Sequence, residues 1–231
     1  TDPAELLKQA DVAMYTAKKN TLSAFIYYTK EMNERAIERL ALENRVKSAY
    51  EEQVFENYYQ PIVNLNSGKT EGVELLLRCF YQDEWISPAA FIPVLEELRH
   101  IIELTRKATE TAINDLQQWY AEGFTGYVSI NLSALHFKTH FDLEFIEQRL
   151  KKAGLPRSAL RFEITEGVLI DKSDEVLHEL QRIRDAGFKL ALDDFGTGYS
   201  SLSYLRRFPL NVLKIDKSFI DDVKESEEEN N

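Results

Sequence analysis

Cysteine is nearly missing from this 231-residue chain, in which Cys79 stands alone. One thiol excludes an intrachain disulfide and a thiolate cluster around a metal. Histidine is scarce as well, with four residues, and these form no convincing site. His136 and His140 are four apart, but their segment lacks a sustained helical pattern, so both read as surface side chains. No apolar run approaches the length of a membrane span, and no basic start followed by an apolar stretch marks a secretory leader. Positive charge is in deficit: 28 Lys and Arg face 39 Asp and Glu, a net charge of −11. That balance argues against a broad duplex nucleic-acid surface. A small phosphate ligand stays open, because bound cations reverse a local field. No Gly-x-Gly-x-x-Gly follows the early strands, which argues against a dinucleotide-binding open sheet. Together these absences suggest a cytoplasmic chain, or the cytoplasmic portion of a longer one, with no membrane contact from this segment. What is present suffices for a core: 44% of residues are hydrophobic, enough to argue against wholesale disorder.

The length fits one large domain or two ordinary ones. Asp2-Pro3 reads as an N-cap with proline at the first helical position. Leu6, Ala10, Ala13, Met14 and Ala17 then share one helical face. A short strand is expected over 23–28. Thr29 is placed to cap a long charged helix reaching about residue 52, with Leu42, Val46, Ala49 and Tyr50 as its clearest apolar stripe. Such a charged helix suits a connection between two bodies. From residue 53 apolar strands alternate with amphipathic helices. The expected strands are 58–63, 72–78, 127–132, 160–165, 189–194 and 212–216. Ile101, Leu104, Ala108, Ala112 and Trp119 trace one helix face. Leu143, Ile146, Leu150 and Ala153 trace another, closed by Gly154 and Pro156. Ser173 is expected to cap a third, with Val176, Leu180 and Ile183 inward and Gly187 at its end. Repeated βα units with strands apolar on both sides imply an α/β fold with a parallel, helix-covered sheet. A barrel fits better than an open sheet.

The strand ends carry the chemistry. Lys189-Leu190-Ala191-Leu192-Asp193-Asp194 is an apolar strand ending in two adjacent carboxylates, and a glycine-containing loop follows. Such neighbours repel unless a cation sits between them, although either could also serve as a helix N-cap. Other strands place Glu74, Asn131, Glu163 and Lys214 at or near their C-terminal ends. Five strands presenting oxygen ligands or a cation in one register would be costly to bury without a function. In a (β/α) barrel those positions converge on the mouth that holds the active site. An all-oxygen, mostly anionic set favours magnesium or manganese over zinc. Two such ions, with Asp193 placed to bridge them, suit in-line displacement at phosphorus. Lys214 adds a compact positive charge for the attacking water or a phosphate oxygen, and Arg78 is placed to reach a phosphate oxygen. The alternative for Lys214 and Asp216 is a simple ion pair at a strand end.

Glu74-Leu75-Leu76-Leu77-Arg78 resembles the Glu-x-Leu-x-Arg signature of EAL domains. Tyr59-Gln60-Pro61-Ile62, Asn131-Leu132-Ser133, Glu163-Ile164-Thr165-Glu166, Asp193-Asp194-Phe195-Gly196-Thr197-Gly198 and Leu213-Lys214-Ile215-Asp216 follow in the family's order. The resemblance covers roughly residues 53 to 223. It implies a modified TIM-like (β/α) barrel of the EAL type that binds cyclic di-GMP and hydrolyses one phosphodiester bond to linear pGpG. By the same resemblance Glu74, Asn131, Glu163, Asp193 and Asp194 bind a pair of Mg2+ or Mn2+ ions. Lys214 places the nucleophilic water, and Glu166 steadies the loop after Asp194, which the family also uses in dimer contacts. Gln60, Leu76, Arg78 and Asp216 belong to the substrate side. The chain departs from the signature at Leu75, where alanine is usual and active members tolerate variation.

Ala10-Asp11-Val12-Ala13-Met14-Tyr15-Thr16-Ala17-Lys18 resembles the last helix of a GGDEF domain. The expected organisation is therefore a GGDEF remnant over 1–28, a linker helix over 29–52 and a partial EAL domain over 53–231. The stretch from residue 53 is about two βα units short of the ~250 residues of a full barrel. The missing units would carry a further glutamate near the metals, so little turnover is expected from the chain alone, although the intact parent would be a phosphodiesterase. The alternatives are a receptor that binds cyclic di-GMP without cutting it and a protein-interaction module.

Overall fold

The computed structural model describes residues 2–19, 26–139, 141–170, 174–196 and 205–219. Residues 23–25 of the expected first strand, His140, Ser173, Thr197 and Gly198 lie outside the described residues. The chain divides into two compact units, Thr1–Val54 with Cys79–Leu95, and Phe55–Arg78 with Glu96–Asn231.

The first unit opens with α1 (Pro3–Lys19), whose first turn is closed by the Leu6 N–H donating to the Asp2 carbonyl at 3.1 Å. Helix α2 spans Lys30–Glu51, and Thr29 caps it from an extended conformation, its hydroxyl accepting from the Met32 N–H. Val46 and Ala49 of the expected stripe are fully buried. The end of β2 (Thr70–Tyr81) turns back into β3 (Glu84–Ile86), pairing Tyr81 with Glu84 and Cys79 with Ile86. Helix α3 (Pro88–Glu97) buries Phe91, Val94 and Leu95.

The second unit is built on a sheet in the order β1-β2-β4-β5-β6-β7, with β1 at Phe55–Val63, β4 at Tyr127–Leu132, β5 at Leu160–Thr165, β6 at Lys189–Phe195 and β7 at Val212–Ile215. From β2 to β7 each neighbouring pair is parallel. Between the strands run α4 (Ile101–Ala121), α5 (Ala134–Lys138), α6 (Leu143–Ala153), α7 (Glu166–Ile170) and α8 (Asp174–Asp185). This is an α/β fold of the TIM-like (β/α) type. Helix α6 starts at Asp142, whose carboxylate accepts from the Phe145 N–H, and ends at Gly154 in the left-handed region at φ 70°. Apolar residues at helical spacing form its inner face, as Ile146 and Leu150 do. Val176, Leu180 and Ile183 do the same on α8.

Two expectations need correction. The strands are not apolar on both faces. Val73, Leu75, Val128, Ile130, Phe162, Ile164, Leu190 and Leu192 build one buried face with the helices. The alternate positions carry Glu74, Ser129, Asn131, Arg161, Glu163 and Asp193, because successive strand side chains point to opposite faces. His136 is not a surface residue either. Its segment folds as α5, and the side chain is buried. Five residues are too few to display a helical period.

Candidate functional site

The register explains how acids distant in sequence meet. Glu74 pairs with Ser129 across β2 and β4, and Asn131 pairs with Glu163 across β4 and β5. Thr165 pairs with Asp193 across β5 and β6. Paired residues in a parallel ladder point to the same side, as do residues two apart in a strand. Glu74, Asn131, Glu163 and Asp193 therefore share one face. Val212 pairs with Ala191, which places Lys214 on that face too.

One oxygen from each of Glu74, Glu163 and Asp193 lies within 4.8 Å of the other two. The Lys214 ammonium donates to all three, at 3.1 Å to Glu74 Oε2, at 2.9 Å to Asp193 Oδ2, and to Glu163 Oε2. Asn131 Nδ2 donates to Glu74 Oε1 at 2.9 Å. Burial alone would lower the Lys214 ammonium, but its bonds to Glu163 and Asp193 outweigh this and raise it. Glu163 is 1% exposed. Its burial pushes the carboxyl above the usual range, and the bonds from Lys214 and Ser129 only partly oppose that. The two directions agree physically. Three carboxylates against one ammonium leave two negative charges, and the most buried acid holds its charge least readily. An all-oxygen set carrying that surplus fits a hard divalent cation.

The remaining sequence-derived candidates are not among the three carboxylates of this triad. Asp194 is not one of the three mutually close carboxylates. A register irregularity between Leu192 and Phe195 takes it out of the alternation, and it adopts the left-handed region at φ 54°. Its N–H donates to Asp193 Oδ1 at 3.0 Å. Burial, then the charges of Asp193 and Asp216, raise its carboxyl. Glu166 is buried at the start of α7, and its Oε2 accepts from the Gly196 N–H at 3.4 Å. Lys214 pairs with the triad, whereas Asp216 accepts from the Ser218 N–H and hydroxyl, bonds that lower its carboxyl. Arg78 donates to the Leu77 carbonyl at 3.0 Å and lies 5.8 Å from the centre of the Tyr58 ring. Gln60 is exposed on β1, and Leu76 is half-buried on β2.

Ser129 is the residue that sequence reasoning missed. It is fully buried, and its hydroxyl donates to Glu163 Oε1. The available signal was a lone hydroxyl two residues before Asn131, hence on the same face of an apolar strand.

Comparison with known proteins gives this arrangement a family. The model described as the EAL domain matches residues 43–231. The chain is 36% identical over 225 residues to the signaling protein YkoW of Bacillus subtilis, covering 97% of this chain and 28% of that protein. It is 32% identical over 224 residues to the cyclic di-GMP phosphodiesterase PdeR of Escherichia coli, covering 96% of this chain and 34% of PdeR. The chain thus spans about a third of the length of these curated relatives. Among solved structures, the PaMucR phosphodiesterase in complex with c-di-GMP superposes with a TM-score of 0.73 at 33% identity, over 80% of this chain and 75% of that one. The match runs through β1 to β7 and every acid of the triad, and on that ground the chain belongs to the EAL domain family.

Proposed function

We propose that this chain carries a metal-dependent phosphodiesterase that binds cyclic di-GMP and hydrolyses one phosphodiester bond to the linear dinucleotide. The observation that supports this most is the convergence of Glu74, Glu163 and Asp193 around the Lys214 ammonium. The relatives' names and the c-di-GMP complex of PaMucR point the same way.

In this reading Glu74, Asn131, Glu163, Asp193 and Asp194 would hold magnesium or manganese. When bound, such ions lower the pKa of a water and neutralise phosphoryl oxygens. The chain's own groups do the rest. Glu163, held by Ser129, fixes the Lys214 ammonium, whose strongly held proton makes it a positive anchor for the water or a phosphate oxygen and not a base. Arg78 binds a phosphate oxygen, Gln60 and Leu76 line the substrate groove, and Asp216 lies on the substrate side. Glu166 steadies the start of the loop after Asp194 through the Gly196 N–H. We further assign residues 1–28 to the end of a GGDEF domain and 29–52 to a linker helix. The assigned setting is a cytoplasmic signalling protein that pairs with a second copy through the EAL domain.

The test is incubation of the protein with cyclic di-GMP and manganese, followed by chromatography. Linear dinucleotide should accumulate, Glu163→Gln should abolish it, and Ser129→Ala should slow it by roughly 10–100-fold. Nucleotide binding that survives chelation, with no product when manganese is supplied, would instead make the protein a receptor.

A further inference from the structure

Asn131 stands exposed near the end of its strand. It is the last residue but one of β4, and the pairing of β4 with β5 stops at Leu132 and Ile164. Its carboxamide donates from Nδ2 to Glu74 Oε1 at 2.9 Å. That bond leaves Oδ1, the atom of the group that can bind a hard cation. A carboxamide turned over would present Nδ2, which donates only and is no ligand. The backbone just beyond β4 therefore bears on how well Oδ1 is aimed.

Ser133 governs that backbone. It is the extended N-cap of α5, and its hydroxyl accepts from the Leu135 N–H at 3.3 Å. Its carbonyl accepts from the His136 N–H at 3.0 Å and lies 3.1 Å from His136 Nδ1. A carbonyl only accepts, so the ring proton belongs on Nδ1, and the buried His136 is tied to the same residue. The Ser133 hydroxyl also donates, to Glu96 Oε1 at 2.5 Å. Glu96 lies 37 residues earlier, in the same compact unit. It is half-buried, and its carbonyl accepts from the Arg99 N–H at 3.0 Å, with Arg99 in the left-handed region at φ 59°. That tight turn fixes the main chain from which the carboxylate reaches. A hydroxyl has one proton. With the proton committed to Glu96, its lone pairs face the Leu135 N–H, and an ionised acceptor makes the stronger kind of hydrogen bond.

We propose that Glu96 is a positioning residue, which acts through Ser133 to hold Asn131 with Oδ1 toward the face shared by Glu74, Glu163 and Asp193. The inference rests on the phosphodiesterase reading for the metal that Asn131 would hold. Glu96 is not one of the clustered carboxylates, and its effect passes through one hydroxyl and two residues of backbone.

The experiment compares the 231-residue chain with Glu96→Leu, Glu96→Gln, Ser133→Ala and Asp142→Ala. Proton–nitrogen spectra of the metal-free chain report the Asn131 side-chain amide, identified by its loss in Asn131→Asp. In the unaltered chain the proton bonded to Glu74 should lie downfield of the usual range. In Glu96→Leu and in Ser133→Ala it should return to that range. In Glu96→Gln it should stay, since the amide oxygen still accepts from Ser133. Manganese, titrated by calorimetry, should bind about tenfold more weakly to Glu96→Leu and to Ser133→Ala, the effect of removing an outer hydrogen-bond partner of a metal site. The double variant should bind no more weakly than either single one, because both act through one bond. Asp142→Ala removes the cap of α6. It should lower the urea midpoint yet leave manganese affinity and the Asn131 signal unchanged. Ser133→Ala, the smaller change, carries the test should Glu96→Leu not fold. An unmoved Asn131 signal in these two variants, or equal weakening by Asp142→Ala, would overturn the proposal. An unaltered chain that binds no manganese would overturn the phosphodiesterase reading instead, and the Asn131 spectra would still show whether Glu96 positions that side chain.

Discussion

Lys214 and Glu163 touch each other yet contribute to stability with opposite signs. The ammonium is raised, so the folded state favours its charge. The buried carboxyl is raised as well, so the folded state disfavours its charge. For an acid with a raised folded pKa, the native state binds more protons than the unfolded one above the ordinary value of 4.5. Stability therefore falls as pH rises through that window. In metal-free buffer Glu163→Gln should raise the urea midpoint at pH 7, and the gain should fade as pH drops toward 4.5. Lys214→Met should lower the stability at pH 7 by about 3 kcal/mol, seen as a lower urea midpoint, because it strands a buried carboxylate. A lower midpoint for both variants would contradict this charge assignment. The acids themselves were legible in the sequence because each is a charge in an otherwise apolar strand. Ser129 was not, since a neutral hydroxyl carries little pattern. His136 was not, since its helix is shorter than two turns.

Element boundaries follow the same logic. Strands β4 and β5 match the sequence expectation residue for residue, for each is an apolar run closed by polar residues. Strand β2 runs three residues further than expected, and β3 was not foreseen. The cause is the turn between them. Gln82 and Asp83 both have positive φ, 54° and 62°, the conformation of a type I′ hairpin. That turn is usually announced by Asn-Gly, and Gln-Asp conceals it. Residues with side chains sit uneasily in this region, at a cost of about 1–2 kcal/mol each. Gln82→Asn with Asp83→Gly should therefore stabilise the hairpin by about 1 kcal/mol. Slower amide exchange across Cys79, Phe80 and Tyr81 would report it, and unchanged exchange would show that the turn is not limiting. Gly154 is the legible counterpart, a glycine read as a helix end and found there at φ 70°.

At the scale of the molecule, the sheet separates two kinds of interaction. One face is held by contacts such as the aromatic run Phe141–Phe162–Phe188, with ring centres 5.2 and 5.3 Å apart. The other concentrates negative charge that the chain, at −11 overall, does little to offset. The alternation of strands and helices made the parallel sheet legible. The two-sidedness was hidden, because a strand of six residues has only three per face, and Ala191 and Ser129 read as neutral on either. A face so loaded should gain stability from divalent cations that bind the folded state alone. At a hundredfold excess over Kd the gain is about 2.7 kcal/mol. For a chain of this size each 1 kcal/mol moves Tm by about 2–4 °C, so manganese should raise Tm by roughly 5–10 °C over EDTA in scanning calorimetry. Asp193→Asn should erase most of that difference, since it removes one carboxylate of the triad. Calcium serves as a control for ion size, because it prefers six to eight longer oxygen bonds. A rise of equal size in the Asp193→Asn variant would place the stabilising ion away from the triad and remove the main support for metal binding there.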